Sequence, residues 1–360
     1  MDVIIMHQTV TKHDAIGNDI EAMFRLLKMK HSCYVYAMTK LNPNVSYIEK
    51  DELETIIKRE DCIVIYHHSV YWEDGEKILN KVKGKIIFRY HNITPSHFFE
   101  KYNKHHFNQC ELGRKQTEKF IKEYPQAYWL SDSHFNEEDL KSVPDHRKGV
   151  CPPFHKIEQW AKKTPDEDVL KKLITSDEIN LLFVGRVVPN KGHMMLFDIL
   201  RIFCINYKTN IRLRIIGKFD EGLAGYNKLI QETLNNYGVA GIVEFVGEIT
   251  DSTLMSYYLG SDIMVCTSEH EGFCVPVVEA QYFGLPVLAL RACAVPETIG
   301  KDQIILDKEP QKYVAAIHTL FEHPEYQNFL REKALENYNA RFAEKIIQQE
   351  FWREFEKGVK

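Results

Sequence analysis

Short apolar, β-branched runs alternate with amphipathic stretches along most of the chain. "VIIMH" (3–7) precedes "DIEAMFRLLKMK", in which Ile20, Met23, Phe24 and Leu27 share one helical face. "CYVYAM" (33–38), "CIVIYHH" (62–68), "KIIFRYHN" (85–92) and "AYWLSDS" (127–133) follow, mostly with helical segments between them. Apolar runs of this kind suit strands buried on both faces, and intervening helices make the sheet parallel and doubly wound. From 154 to 178 the pattern loosens into a charged stretch without strand signal. It then restarts with "INLLFVGRV" (179–187), a helix near 192–206, "IRLRIIGKF" (211–219) and a helix near 224–237. "VEFVGEI" (243–249), a helix over 251–259, "DIMVCTS" (262–268), a helix from Pro276 and "PVLAL" (286–290) complete it. Residues 324–358 read as helical to their end, anchored by Phe351, Trp352 and Phe355.

This pattern predicts an α/β protein with two Rossmann-like, doubly wound domains, 1–153 and 179–339, joined by a connection at 154–178. A helix over 340–360 is expected to pack back on the first domain. A chain of 360 residues exceeds what one core usually serves. In such sheets ligands bind outside the carboxyl ends of the strands, so a cleft between two facing sheets is the expected site.

Composition narrows the class. The chain is 44% hydrophobic and 27% charged, as in ordinary soluble globular proteins, and its net charge of −5 argues against a nucleic-acid partner. Eight cysteines lie scattered without a C-x-x-C pair, which favours reduced thiols in a cytoplasmic protein over a disulfide framework or zinc site. "MDVIIMHQTV" has neither a basic lead nor a cleavage site and reads as a first strand. No apolar run approaches the roughly 20 residues a membrane span needs.

Two segments carry chemistry. In "LLFVGRVVPNKGH" a strand ends at Val184, Gly185 permits a close turn, Arg186 leaves the strand tip, and Lys191 follows before a helix. Two cations there suit a diphosphate, Arg as a fixed fork and Lys as a mobile point charge; taken alone, the segment reads equally as two surface cations. In "SEHEGFCVPVVEAQYFGLPV" Pro276 fits a first helical position. The amides of Phe273, Cys274 and Val275 then form a helix start suited to anionic oxygens. Glu279 lies one turn in, where the helix dipole partly stabilises its charge and a ribose diol could donate to it. Glu271, in the loop, is placed for other hydroxyls. The Asp166-Glu167-Asp168 run lies away from any strand end and reads as a solvated helix start, not a metal site.

Glu271 and Glu279, with Gly272-Phe273 between them and "GLPV" after, resemble the E-x7-E signature of retaining GT-B glycosyltransferases of family 4. Arg186 and Lys191 match that family's donor-diphosphate pair in spacing and context, and "AVPETIG" (294–300) resembles its "PE" turn. The resemblance covers the whole chain and is densest from 181 to 300. It implies a GT-B fold and retaining transfer of a hexose from a GDP- or UDP-sugar, with no metal or other cofactor required. It also implies roles. Glu271, Arg186, Lys191 and His91 would be catalytic, and Gly185, Gly272, Phe273, Cys274, Val275 and Glu279 would bind the donor with them. His91, ending "FRYH", would lie over the donor sugar and touch a hydroxyl through its backbone or ring.

Where the family has a glycine-rich loop after the first strand, this chain has only Gly17. Gly17 and Asn18 read either as amide donors to the phosphate or as an ordinary helix start. In "SDSHFNEEDL" Ser133 or Asn136 is the expected helix cap. Similarity to bacterial O-antigen, lipopolysaccharide and capsule transferases implies a glycan or polyprenyl-diphosphate-linked acceptor and a place at the inner face of the cytoplasmic membrane. "KYNKHHFNQCELGRKQTEKFIKEY" (101–124) reads as a solvated helix face or as a surface for anionic head groups. A non-catalytic nucleotide-sugar binder, a phosphorylase and an epimerase are the rival readings.

Overall fold

The structure, a computed structural model, describes residues 1–12, 14–160 and 162–360. Residues 1–96, 105–156 and 343–360 form one compact unit, and 97–104 with 157–342 form a second.

The first unit holds β1 (Asp2–Met6), β2 (Thr9–Val10), β3 (Ser32–Tyr36), β4 (Thr39–Lys40), β5 (Ile63–His68), β6 (Lys85–Tyr90), β7 (Tyr128–Ser131) and β8 (Lys148–Val150). Six of these make a sheet of order β3-β1-β5-β6-β7-β8, while β2 and β4 pair separately. All the ladders are parallel, with Val3 opposite both Cys33 and Ile63. Strand alternation splits the core into two layers. Val3 and Ile5 pack with Ile20, Met23, Phe24 and Leu27 of the helix Ala15–Lys28, whereas Ile4 and Met6 face Leu53, Ile57 and Trp72. Ile347, Phe351 and Phe355 of the helix Glu344–Gly358 join the first layer.

The second unit holds β9 (Ile179–Val184), β10 (Ile211–Ile216), β11 (Val243–Gly247), β12 (Ile263–Cys266), β13 (Val287–Leu290) and β14 (Ile304–Leu306), in the order β11-β10-β9-β12-β13-β14. Every ladder is parallel, so the strand order reverses between β9 and β12. That reversal leaves a crevice at the carboxyl ends of those two strands, the position where such sheets take ligands.

The edge strands and the terminal helical run differ from the sequence expectation. The edge strands β8 and β14 are three residues long and too short to show a period. The terminal helical run is two helices, Pro324–Arg341 and Glu344–Gly358. They part at Phe342, which is fully buried in the second unit against Phe273, just where the chain returns to the first. The 154–178 stretch contains the helix Glu167–Ile174, whose Leu173 is buried in the second unit.

Candidate active site

The strand tips at the reversal point carry the charged groups. After β9 the chain passes Gly185 and the exposed Arg186, then makes a 3-10 turn over Pro189–Lys191. Gly192 ends that turn at φ 71°, and a Cβ there would lie 2.1 Å from the Thr267 carbonyl oxygen, so only glycine fits. The helix His193–Asn206 follows. Gly217, just past β10, is equally constrained, because its Cβ would lie 2.1 Å from the Gly185 carbonyl oxygen. Gly185 itself would hold a Cβ at ordinary contact distance, but its φ of 157° is one that side-chain-bearing residues rarely adopt, so a turn that favours glycine lies there as expected.

After β12 the loop carrying Glu271 is stitched to the Lys191 turn from several sides. Glu269 and His270 amides donate to the Asn190 carbonyl at 2.8 and 3.3 Å, and Asn190 Nδ2 donates to the His270 carbonyl at 3.2 Å. Thr267 Oγ1 donates to the Lys191 carbonyl at 3.2 Å, and the Ala294 amide to the Glu271 carbonyl at 3.3 Å. The outcome is a direct ion pair, Lys191 Nζ to Glu271 Oε1 at 2.5 Å, with side chains 17% and 12% exposed. Burial by itself would lower the Lys191 pKa, but the charge and hydrogen bond of Glu271, together with the nearby Cys274 and Cys266, outweigh it, and the net shift is upward.

The helix Val275–Tyr282 then begins. Cys274 caps it in the left-handed region at φ 75°, a conformation that costs a non-glycine residue roughly 1–2 kcal/mol. Among the described residues, the amides of Phe273, Cys274 and Val275 donate to no protein acceptor, as an anion-binding helix start requires. Phe273 packs edge-on against Phe342, and its carbonyl accepts from Thr298 Oγ1 at 2.5 Å. The loop is thus fixed from the core side. Cys274 Sγ lies 3.8 Å from Cys266 Sγ, both thiols buried and free.

Glu279 does not join the Lys191–Glu271 pair. It is 8% exposed and accepts a 2.5 Å hydrogen bond on Oε2 from Tyr258 Oη. Burial pushes its pKa up to about 7 against the pull of that bond, with the Asp251 charge adding to the rise. The partial stabilisation of its charge expected from the helix dipole is therefore outweighed. Past the first turn the dipole has faded, and desolvation dominates.

In the first unit His91 sits in a buried polar network. Its Nδ1 lies 2.8 Å from Asp132 Oδ2, and its Nε2 lies 2.8 Å from His67 Nδ1. Arg89, fully buried, ion-pairs with Asp19 and Asp132, each at 2.9 Å, and donates to the carbonyls of Ser131 and Cys151. The contact between His91 Nε2 and His67 Nδ1 pairs the two rings, one nitrogen donating and the other accepting. Burial, then the neighbouring His91 and His7, holds the His67 pKa well below its usual value, so that ring is neutral. Both ring nitrogens of His91 are engaged and its amide donates to the His68 carbonyl at 3.1 Å, which leaves its backbone carbonyl as the part available to a ligand. Asp19, His67 and His91 have metal-ligand spacing, but the Arg89 guanidinium already supplies the positive charge there.

Gly17 and Asn18 lie at the start of the helix Ala15–Lys28. The Gly17 amide donates to Asp14 Oδ1 at 2.6 Å and the Asn18 amide to the Asp14 carbonyl at 3.0 Å. Both amides are spent on the cap, which corrects their assignment to phosphate in favour of the ordinary helix start. Ser133 caps the helix His134–Glu137 by accepting from the Asn136 amide at 3.1 Å. Asp166 caps the helix Glu167–Ile174.

Two all-parallel, doubly wound units, the second with its charged groups at the strand-order reversal, define the GT-B fold. HepE of Anabaena, in a crystal structure with UDP and glucose, superposes with a TM-score of 0.78 at 15% identity, over 99% of each chain. Residues 166–337, all within the second unit, match the family model "Glycosyl transferases group 1". An uncharacterized 41.2 kDa protein in the cps region of Klebsiella pneumoniae is 26% identical over 265 residues, 72% of this chain and 68% of that one. A D-inositol 3-phosphate glycosyltransferase of Thermobifida fusca is 27% identical over 160 residues. That match spans 43% of this chain and 37% of the relative.

Proposed function

We propose that this protein is a retaining glycosyltransferase. It would move a hexose from a nucleoside diphosphate sugar to a glycan or lipid-linked oligosaccharide in bacterial surface-polysaccharide synthesis. The observation that carries this reading is the Lys191–Glu271 pair at the carboxyl ends of β9 and β12, within the segment that matches the group 1 family. The cps-region relative supports the surface-polysaccharide part, and the HepE complex makes UDP-glucose the first donor to try, ahead of GDP-sugars.

In this reading Arg186, Lys191 and the amides of 273–275 bind the diphosphate, and Glu279 takes the ribose hydroxyls. Gly185 and Gly272 allow the backbone to approach the donor. As the bond from C1 to the phosphate oxygen breaks, its electron pair passes to the diphosphate, and the preoriented cations stabilise that charge without a metal. The acceptor oxygen bonds to C1 and its proton goes to the departing phosphate oxygen. Glu271 binds sugar hydroxyls in this scheme, and His91 contributes through its backbone. No described helix is long and apolar enough to cross a membrane, and contact with a lipid-linked acceptor at the inner membrane face would be peripheral.

The test is incubation with UDP- and GDP-sugars, with mass detection of donor hydrolysis and transfer products. Release of nucleotide from one donor class is the expected result. Tight nucleotide binding without release from any donor would overturn catalysis in favour of a nucleotide-sugar binding protein.

A further inference from the structure

Tyr258 lies on the helix Asp251–Gly260, is 1% exposed, and reaches across to Glu279. Its ring stacks on Phe283, at 5.6 Å between centroids and 13° between planes, directly after the end of the Glu279 helix. That stack fixes where the hydroxyl points. Burial and then the Glu279 charge raise the Tyr258 pKa well above its ordinary value, so the phenol remains a hydrogen-bond donor throughout the neutral range. A buried phenolic hydroxyl is costly without a partner, and a phenylalanine would fill the same space. Glu279 Oε1, in contrast, has no protein partner among the described residues, and the side chain keeps a small open surface.

We propose that Tyr258 is a positioning residue for nucleotide binding: it ties down Oε2 of Glu279 and thereby aims Oε1 at the ribose hydroxyls of the donor. This rests on the reading that Glu279 takes the ribose, and it adds a residue that no sequence motif marks. It also makes binding pH-dependent, because a ribose hydroxyl needs the carboxylate as acceptor. The other groups facing this pair are few. Asp251 comes from the Tyr258 helix, and the Cys266 and Cys274 thiols lie beside the phenol. The helix Pro324–Arg341, packed on the Glu279 helix, offers the neutral Asn337 to Gln281 at 2.8 Å.

The experiment measures UDP affinity of the full chain by calorimetry from pH 5.5 to 9. For the wild type, affinity should fall as pH drops through about 7. Tyr258→Phe keeps the ring stack and removes the donor, so the midpoint should move up by about one pH unit. UDP binding would then weaken at pH 9 through the lost aim of Oε1, and by about a further fivefold at pH 7. 3-Fluorotyrosine introduced at position 258, a stronger donor of nearly the same shape, should move the midpoint down, and it decides the matter if the phenylalanine variant does not fold. An unmoved midpoint, or a loss uniform across the pH range as a purely structural role would give, overturns the proposal. Glu279→Gln should bind weakly with a flat profile. If it binds UDP as the wild type does at every pH, the ribose reading itself has failed and not the role of Tyr258.

Discussion

The Lys191–Glu271 pair sets up a competition that an incoming diphosphate has to win. At 2.5 Å the carboxylate neutralises the ammonium, and a bound diphosphate would replace it and also meet its repulsion. Glu271→Gln should therefore bind UDP as tightly as the wild type or a few-fold tighter, while transfer falls by at least about 100-fold. Calorimetry and product detection on the same preparation check both halves. Glu279 gives a stability prediction. Its folded pKa of about 7 lies above the ordinary 4.5, so the protonated form is favoured in the folded state. The resulting stability is fully present below pH 4.5 and is lost as pH rises through 7, a change of about 3 kcal/mol. Glu279→Gln should remove that part of the slope and be the more stable protein at pH 8, as read from urea unfolding at pH 5 and pH 8. At this scale the sequence marks Lys191, Glu271 and Glu279 because each lies in a short strand–loop–helix segment, Lys191 after β9 and the two glutamates after β12, where local spacing can be read. Tyr258 goes unmarked, since a tyrosine in an apolar helix looks like core until its partner is known. The committed amides of Gly17 and Asn18 are hidden for a related reason, as a helix start reads the same whether its donors are free or capped.

Arg89 shows what one residue can do for several elements. It leaves β6 and ties the helix Ala15–Lys28 through Asp19, the end of β7 through the Ser131 carbonyl and Asp132, and the segment after β8 through the Cys151 carbonyl. The two carboxylates raise its pKa although burial opposes the charge. Replacing it by methionine would leave Asp19 and Asp132 buried without their cation, and breaking such a network costs about 3–5 kcal/mol. The expected outcome for Arg89→Met is a matching drop in the unfolding free energy of the first unit, measured in urea. A change below about 1 kcal/mol would mean that the carboxylates find other partners or take up protons. A charge inside "KIIFRYH" is itself a signal of a buried pair, so half of this network was readable. Its partners come from separate parts of the chain and carry no spacing. The long apolar strands were readable by the same logic that hides β8 and β14, because three residues cannot display alternation.

The chain order of the whole molecule has a consequence for stability. The first unit is completed only when the chain returns at residue 343, after the entire second unit has been built. Periodicity indicates both sheets, yet it cannot show that residues 97–104 leave the first unit. There Asn103 Nδ2 donates to the Gly222 carbonyl at 2.6 Å, and Tyr102 packs on Tyr226 at 5.2 Å. The returning helix brings Ile347, Phe351 and Phe355, each no more than 3% exposed, into the layer behind β1. Its Glu354 accepts from Tyr128 of β7 at 2.5 Å. Each of those side chains is worth about 2–3 kcal/mol of burial, so together they are comparable with the total of about 5–15 kcal/mol that holds a domain. Ending the chain after Phe342 should therefore abolish the cooperative unfolding transition of the first unit in calorimetry. The second unit, whose core clusters do not include those side chains, should keep its own transition, and in the proposed function it should still bind UDP. Two intact transitions in the shortened chain would show that the first sheet is held by its other helices alone.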